Sequence, residues 1–202
     1  MSLRTMKVTL GSLHILALVA GWVALGVVVF LRRRFQSSAV LQRDRRSFLG
    51  TAIQGVGFAA VFSVRRKLVN LPINNAGLDD VTNLLAGMLL LACSVWMLQA
   101  AISALGKQWS LTARVLEEHT LVTSGPYGLV RHPIYTAMFG MLLGSGILVS
   151  RWESVVVGAA FFLWGTVIRV RIEERLLRAV FGTAYENYAR KVPALIPRWP
   201  SP

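Results

Sequence analysis

Five apolar stretches, at roughly 8–31, 48–64, 81–105, 133–150 and 153–170, govern what this chain can fold into. A bilayer core takes about 20 consecutive apolar residues in helical form. Inside hydrocarbon every backbone N–H and C=O must be satisfied within the segment, which leaves helices as the simplest way across. The pattern predicts an all-α, polytopic membrane helical bundle of about five transmembrane helices. The second and fifth stretches are short and carry Gln54 and Arg169, polar groups that belong on a bundle interior or a cavity wall. Only Ser150-Arg151-Trp152 separates the fourth from the fifth, so these two form an antiparallel hairpin. Pro133 falls in the first turn of the fourth, where its missing N–H costs nothing. The first stretch is longer than a signal-peptide apolar region and runs into Arg32-Arg33-Arg34 rather than a cleavage site. It reads as a retained helix.

The net charge of +13 invites a nucleic-acid reading, yet 54% of residues are hydrophobic and 15% are charged. The basic residues cluster beside apolar runs, at 32–34, 43–46 and 65–67. Lipid headgroups and the positive-inside rule account for that placement, and no nucleic acid is expected as a partner. With five spans and an external N-terminus, the inner segments 32–46, 106–132 and 169–202 hold 16 Lys and Arg against 6 outside. That imbalance places the C-terminus, and a site built near it, in the cytoplasm. Cys93 is the only cysteine. It has no disulfide partner in the chain and reads as a small buried hydrophobe.

Residues 1–105 form an N-terminal set of transmembrane helices, and residues 106–202 a catalytic half made of a polar loop, the helical hairpin and a C-terminal cap. Residues 65–80, with LPINNAG at 71–77, read as a polar turn region. Gly140-x-x-x-Gly144 and Gly146 suit close helix packing inside one bundle, with a dimer face as the alternative. From Arg171 onward Ile172, Leu176, Leu177, Val180 and Phe181 recur at helical spacing. Gly182 should end that helix. A short helix around 184–191 and the prolines at 193 and 197 then suggest a cytoplasmic helical cap over the mouth of the bundle. The alternative is a helix lying on the headgroups.

The chemistry concentrates in residues 119–135, HTLVTSGPYGLVRHPIY, and in residues 169–174, RVRIEE. A polar segment wedged between membrane helices is costly unless it lines a site. Two dispersed histidines, His119 and His132, do not make a metal centre, and no metal is expected. His14 in the first span reads as packed or interfacial. No nucleophile elbow, Cys/His pair or phosphate-binding glycine motif is present. What remains suits a zwitterionic ligand with an aromatic part. Residues 124–127, SGPY, read as a turn. Tyr127 and Tyr135 offer faces for a cation, Glu173 a partner for an amino group, and Arg169 a clamp for a carboxylate. Arg169 and Glu173 lie four apart on one helix face, so a purely structural ion pair is an equal reading of those two residues alone.

Residues 119–125 (HTLVTSG), Tyr127 and Arg131-His132-Pro133-x-Tyr135 resemble the isoprenylcysteine carboxyl methyltransferase family. Glu173-Glu174, Phe181-Gly182-x-x-Tyr185-x-x-Tyr188, Arg190-Lys191-Val192-Pro193 and Pro197 extend the likeness across roughly 106–198. The first three apolar stretches share only their hydrophobicity with it. The resemblance implies S-adenosylmethionine as cofactor and methyl transfer to a lipid-borne carboxylate. By the same resemblance His119, Thr120, Leu121, Val122, Tyr127, His132, Pro133, Ile134, Tyr135 and Glu173 bind the cofactor. Arg169 orients the acceptor, which reaches the site from the bilayer. Ile134 replaces a small polar residue of some relatives, which leaves only a backbone contact secure there. A carboxylate is ionised near neutrality and needs no general base. The work left to the protein is alignment and exclusion of water.

Three other readings fit parts of the pattern. The acceptor could be a phospholipid amine or a small hydrophobic molecule; the cofactor could be NADPH in a membrane reductase; or the chain could be a transporter. The last fits poorly, because transporters often show two related halves, whereas here the polar residues gather in the second.

Overall fold

A computed structural model describes residues 9–33, 40–43, 47–66, 77–109, 114–116 and 120–197. In chain order these form α1 (Leu10–Arg33), β1 (Val40–Arg43), α2 (Ser47–Ser63), α3 (Leu78–Leu105) and a 3₁₀ turn (Gly106–Gln108). There follow β2 (Arg114–Leu116), the one-turn α4 (Pro126–Leu129), α5 (Pro133–Val149), α6 (Trp152–Phe181) and α7 (Thr183–Lys191). Most of the polar turn region expected at 65–80 lies outside the described residues.

The chain is an integral, multi-pass helical membrane protein, but the expectation of about five transmembrane helices is met only in part. Among the described residues, three helices are long and apolar enough to cross a bilayer: Leu10–Arg32, Leu78–Gln108 and Trp152–Phe181. Helices α2 and α5 have 17 residues each, about 25 Å of rise against a hydrocarbon core of about 30 Å. Each short helix leans on a long one, α2 on α6 and α5 on α3. Helices from the two halves of the chain are therefore interleaved in one bundle. A second departure is the small antiparallel ribbon in which Val40–Arg43 pairs with Arg114–Leu116. Its strands are too short to leave a readable alternation in sequence.

Glycine sets the closest approach between α2 and α6. A methyl group on Gly57 would stand 2.7 Å from the Gly158 carbonyl oxygen, and one on Gly158 would stand 2.6 Å from that of Gly57. One helical repeat away, a methyl on Gly165 would stand 2.5 Å from the Gly50 carbonyl and one on Gly50 2.8 Å from that of Gly165. Such reciprocal glycines let two backbones meet where hydrophobicity alone supplies no drive between helices. Gly144 likewise faces Gly87 and Leu91 of α3, Gly140 faces Ser94, and Gly146 faces Val155 of α6. These small residues thus serve packing inside the bundle. Leu84, Leu91, Met141 and Leu148 fill the space between α3 and α5, and Val61, Leu142 and Phe162 that between α2, α5 and α6. His14 is buried, with Nδ1 2.9 Å from the Leu10 carbonyl oxygen. Cys93, expected to be buried, is exposed on α3; an apolar run in a membrane can face lipid as readily as a core.

Helix α6 does not stop at 170. It runs unbroken for 30 residues to Phe181, carrying one helix from the glycine seam into the charged cluster. Gly182, at φ 49°, then turns the chain into α7, a conformation glycine adopts without steric penalty. Beyond α7 the chain returns to the start of α5. The Arg131 N–H donates to the Pro193 carbonyl at 2.8 Å and the His132 N–H to that of Ala194 at 3.0 Å. The Thr136 hydroxyl donates to the Leu195 carbonyl at 2.7 Å. Residues 193–195 are therefore strapped to the bundle rather than lying free on a surface.

Candidate active site

The entry to α5 is a chain of turns. Gly125 at φ 60° opens α4 with Pro126 in its first turn, and the Tyr127 N–H donates to the Ser124 carbonyl at 3.2 Å. Pro133 then starts α5 directly after His132. This places Arg131, His132 and Tyr135 against the last four turns of α6, where Arg169, Glu173, Glu174 and Arg178 project.

The two adjacent glutamates have different surroundings. Glu174 is saturated. Its Oε1 accepts from Arg131 at 2.8 and 3.0 Å and lies 3.3 Å from His132 Nε2, while Oε2 accepts from Arg178 at 3.0 Å. Glu173 is held more loosely. It accepts a hydrogen bond from the Tyr135 hydroxyl, and its other ion-pair contacts, to His132 Nδ1 and to Arg169, are both 3.6 Å. Its side chain is 23% exposed against 9% for Glu174. Of the pair, Glu173 is the carboxylate with capacity left for a ligand.

His132 is buried with a carboxylate at each ring nitrogen, an arrangement satisfied when both nitrogens carry protons. Burial opposes its charge, but hydrogen bonds and attraction from Glu173 and Glu174 prevail and raise its pKa above the ordinary histidine value. Burial, reinforced by Glu173 and Tyr188, pushes the Tyr127 hydroxyl well up, so it stays a neutral donor. Tyr188, raised to about 12 mainly by burial, donates to the Tyr127 carbonyl at 2.7 Å. The Arg169 guanidinium stands 5.1 Å from the centroid of the Tyr135 ring, within cation–π range, while its Nη1 donates to the Thr51 hydroxyl at 2.6 Å.

Of the residues singled out in sequence, the fold brings His132, Tyr135, Arg169 and Glu173 into one cluster. Tyr127 and Pro133 are buried beside it. Ile134 points elsewhere and packs against the group of Val28, Leu98, Ile102, Trp109 and Ala137. Thr120 is exposed and exchanges two hydrogen bonds with Gln108, at 2.7 and 2.9 Å; Leu121 and Val122 follow, half-buried. His119 lies outside the described residues. Among the described residues no group of three or more His, Cys, Asp or Glu is placed to hold a metal.

Sequence reasoning gave no role to Arg131, Glu174, Gln108 or Thr51. Arg131 also donates to the Ala189 and Val192 carbonyls, tying the tail to Glu174. A signal for Glu174 existed, since Arg178 lies four residues on. For Thr51, on a helix far away in sequence, none did.

Residues 82–184 match the profile of the family described as phospholipid methyltransferase. The cobalt-zinc-cadmium resistance protein CzcN of Cupriavidus metallidurans is 36% identical over 110 residues, covering 54% of this chain and 50% of that protein. The protein-S-isoprenylcysteine O-methyltransferase of Schizosaccharomyces pombe is 39% identical over 85 residues, 42% of this chain and 36% of that one. The protein-S-isoprenylcysteine O-methyltransferase B of Arabidopsis thaliana is 30% identical over 101 residues, 49% of this chain and 51% of that one. The chain thus spans about half, or less, of the length of these curated relatives.

Proposed function

The chain belongs to the phospholipid methyltransferase family, and from that premise we propose that it is a membrane methyltransferase using S-adenosylmethionine on a lipophilic acceptor, a carboxylate of the isoprenylcysteine type. The observation that carries this reading is the contrast between the two glutamates: Glu173, inside the family-matched stretch, keeps free capacity beside a guanidinium and two aromatic rings.

The side chains present suit such a cofactor. The Tyr135 ring already takes a cation, the Arg169 guanidinium, so a sulfonium is chemically at home there. Glu173 would hold the amino group, with His119, Thr120, Leu121, Val122, Tyr127, His132, Pro133 and Tyr135, together with the Ile134 backbone, completing the enclosure. When bound, the cofactor supplies an electrophilic methyl group. Arg169 pairs with the acceptor carboxylate and turns one oxygen toward the reacting centre. His132, held cationic between the glutamates, keeps Glu173 oriented, and the strapped tail excludes water. The proposed topology puts this site on the cytoplasmic face, where a polar cofactor arrives from solvent and an apolar acceptor from the bilayer.

The family's description favours a second reading, methylation of a phospholipid amine. An amine must lose a proton, so its rate rises with pH toward the amine pKa, whereas a carboxylate gives a flat profile above neutrality.

The test is calorimetric binding of S-adenosylmethionine and S-adenosylhomocysteine to detergent-solubilised protein and to Glu173→Ala. Micromolar binding by the wild type, weakened at least about 100-fold in the variant, is expected, since truncation leaves a charged amino group without its partner. Stabilisation by NADPH with no binding of S-adenosylmethionine would overturn the proposal in favour of a reductase.

A further inference from the structure

Helix α2 lies outside the stretch that matches the family, yet one of its side chains reaches into the charged cluster. We infer that Thr51 is a positioning residue for the acceptor, its hydroxyl fixing the Arg169 guanidinium in the direction a carboxylate must meet. The inference rests on the proposed function, because it gives Arg169 an acceptor to orient.

Arg169 is a long side chain with many rotamers, and its usefulness as a clamp depends on how few it keeps. Groups on three helices hold it. The Tyr135 ring of α5 lies 5.1 Å from its central carbon, Glu173 of α6 is 3.6 Å from Nη2, and Thr51 of α2 accepts from Nη1 at 2.6 Å. The Thr51 contact is the short one. Its polarity is also set: the Thr51 hydroxyl gives its own proton to the Ser47 carbonyl at 3.2 Å, which leaves a lone pair for the guanidinium. This contact draws Nη1 toward α2, while Nη2 stays 3.6 Å from Glu173, the anionic member of the three.

The backbone beside Thr51 is shaped for the same purpose. A methyl on Gly50 would stand 2.5 Å from Arg169 Cγ, so the glycine makes room for the arginine stem where it crosses between the helices. One turn further along α2, Gln54 donates to Thr166 of α6 at 2.8 Å, and Thr166 donates to the Phe162 carbonyl at 2.8 Å. This buried pair fixes the rotation of α2 against α6 and hence the face on which Thr51 emerges. Thr51 itself is exposed, flanked by the exposed Phe48 and Leu49. Thr51 therefore lies at the edge of an apolar surface, the side from which a lipid-borne carboxylate would come, with the buried Arg169 side chain directly behind it.

The experiment compares Thr51→Val, which keeps the shape and removes the hydroxyl, with Thr51→Ser, which keeps the hydroxyl. Methyl transfer to S-farnesylcysteine is followed as a function of acceptor concentration, with S-adenosylmethionine affinity measured separately. Thr51→Val should lower acceptor kcat/KM about tenfold, mostly through KM, the size expected for losing a hydrogen bond to a charged group. Its cofactor Kd should stay within about twofold of wild type, and Thr51→Ser should stay near wild type in both. Wild-type kinetics in Thr51→Val, equal damage in Thr51→Ser, or a parallel loss of cofactor affinity would overturn the positioning role. Failure of the wild type to bind S-adenosylmethionine, or to methylate the probe, sinks the underlying reading, and the inference falls with it. The first three outcomes sink the inference alone.

Discussion

Helix α6 meets its neighbours in two different ways along its length. Up to Gly165 it approaches α2 through glycine, with Gly158 against Gly57 and Gly165 against Gly50, backbone to backbone and largely without side-chain polarity. From Arg169 to Arg178 it meets α2, α5 and α7 through charge: Arg169 with Thr51, Glu173 with Tyr135, Glu174 with Arg131 and Arg178 with Glu186. The first half serves the second. Only a close, rotationally fixed contact along the glycine seam brings α2 near enough for a threonine hydroxyl to reach an arginine on α6. The contrast also separates tolerances, because a packed seam answers to volume and a charged cluster answers to partners.

The largest effect should come from the charged half. Replacing Arg131 by Met removes the donors to Glu174 and to the Ala189 and Val192 carbonyls together. Breaking a buried pair from one side costs about 3–5 kcal/mol. In detergent the variant should melt markedly earlier, and limited proteolysis should reach residues 183–197 first. Uniform protection of the tail would mean the backbone bonds to Pro193 and Ala194 hold it unaided.

The seam should answer less strongly. A methyl added at Gly57 meets the Gly158 carbonyl and the Phe162 backbone, and such overpacking costs about 1–3 kcal/mol. Gly57→Ala is expected to lower the melting temperature and, by tilting α2, to reduce turnover through Thr51. Gly55, where a methyl meets nothing within 4 Å, is the control. Equal effects at the two glycines would break the distinction between seam and lipid face.

The smallest effect is a pH dependence. The folded protein raises the His132 pKa, so the cationic form is the one that folding favours. That contribution is fully present below the unfolded value of about 6.5 and is lost as pH rises through the folded pKa. Wild-type melting temperature should therefore decline as pH rises above about 6.5, and His132→Gln should flatten that part of the profile. A parallel decline in both proteins would assign the effect to another group.

Much of this architecture was legible in the residues. Apolar runs located the five apolar helices, three long and two short, Gly182 marked the break before α7, and the 119–135 and 169–174 segments stood out because polarity between membrane helices is costly. Less legible was length. The continuity of the fifth apolar stretch with the amphipathic helix from Arg171 was hidden because hydropathy falls where charge begins, although the helix continues. The ribbon joining β1 and β2 gave no periodic signal. At the site, Glu173 and Glu174 are neighbours of the same chemistry, and nothing local says which one is saturated.

The sequence by itself determined that this chain must live in a bilayer as helices, and that its polar chemistry gathers in two segments. Both follow from local properties: transfer free energy and the need to satisfy each backbone group within its own helix. Tertiary structure decided which carboxylate stays open, which arginine straps the tail, and that Thr51 of α2 reaches Arg169 of α6, 118 residues away in sequence. Those outcomes depend on helix rotation and on close backbone approach, set by glycines facing each other across the bundle. No single segment carries that information.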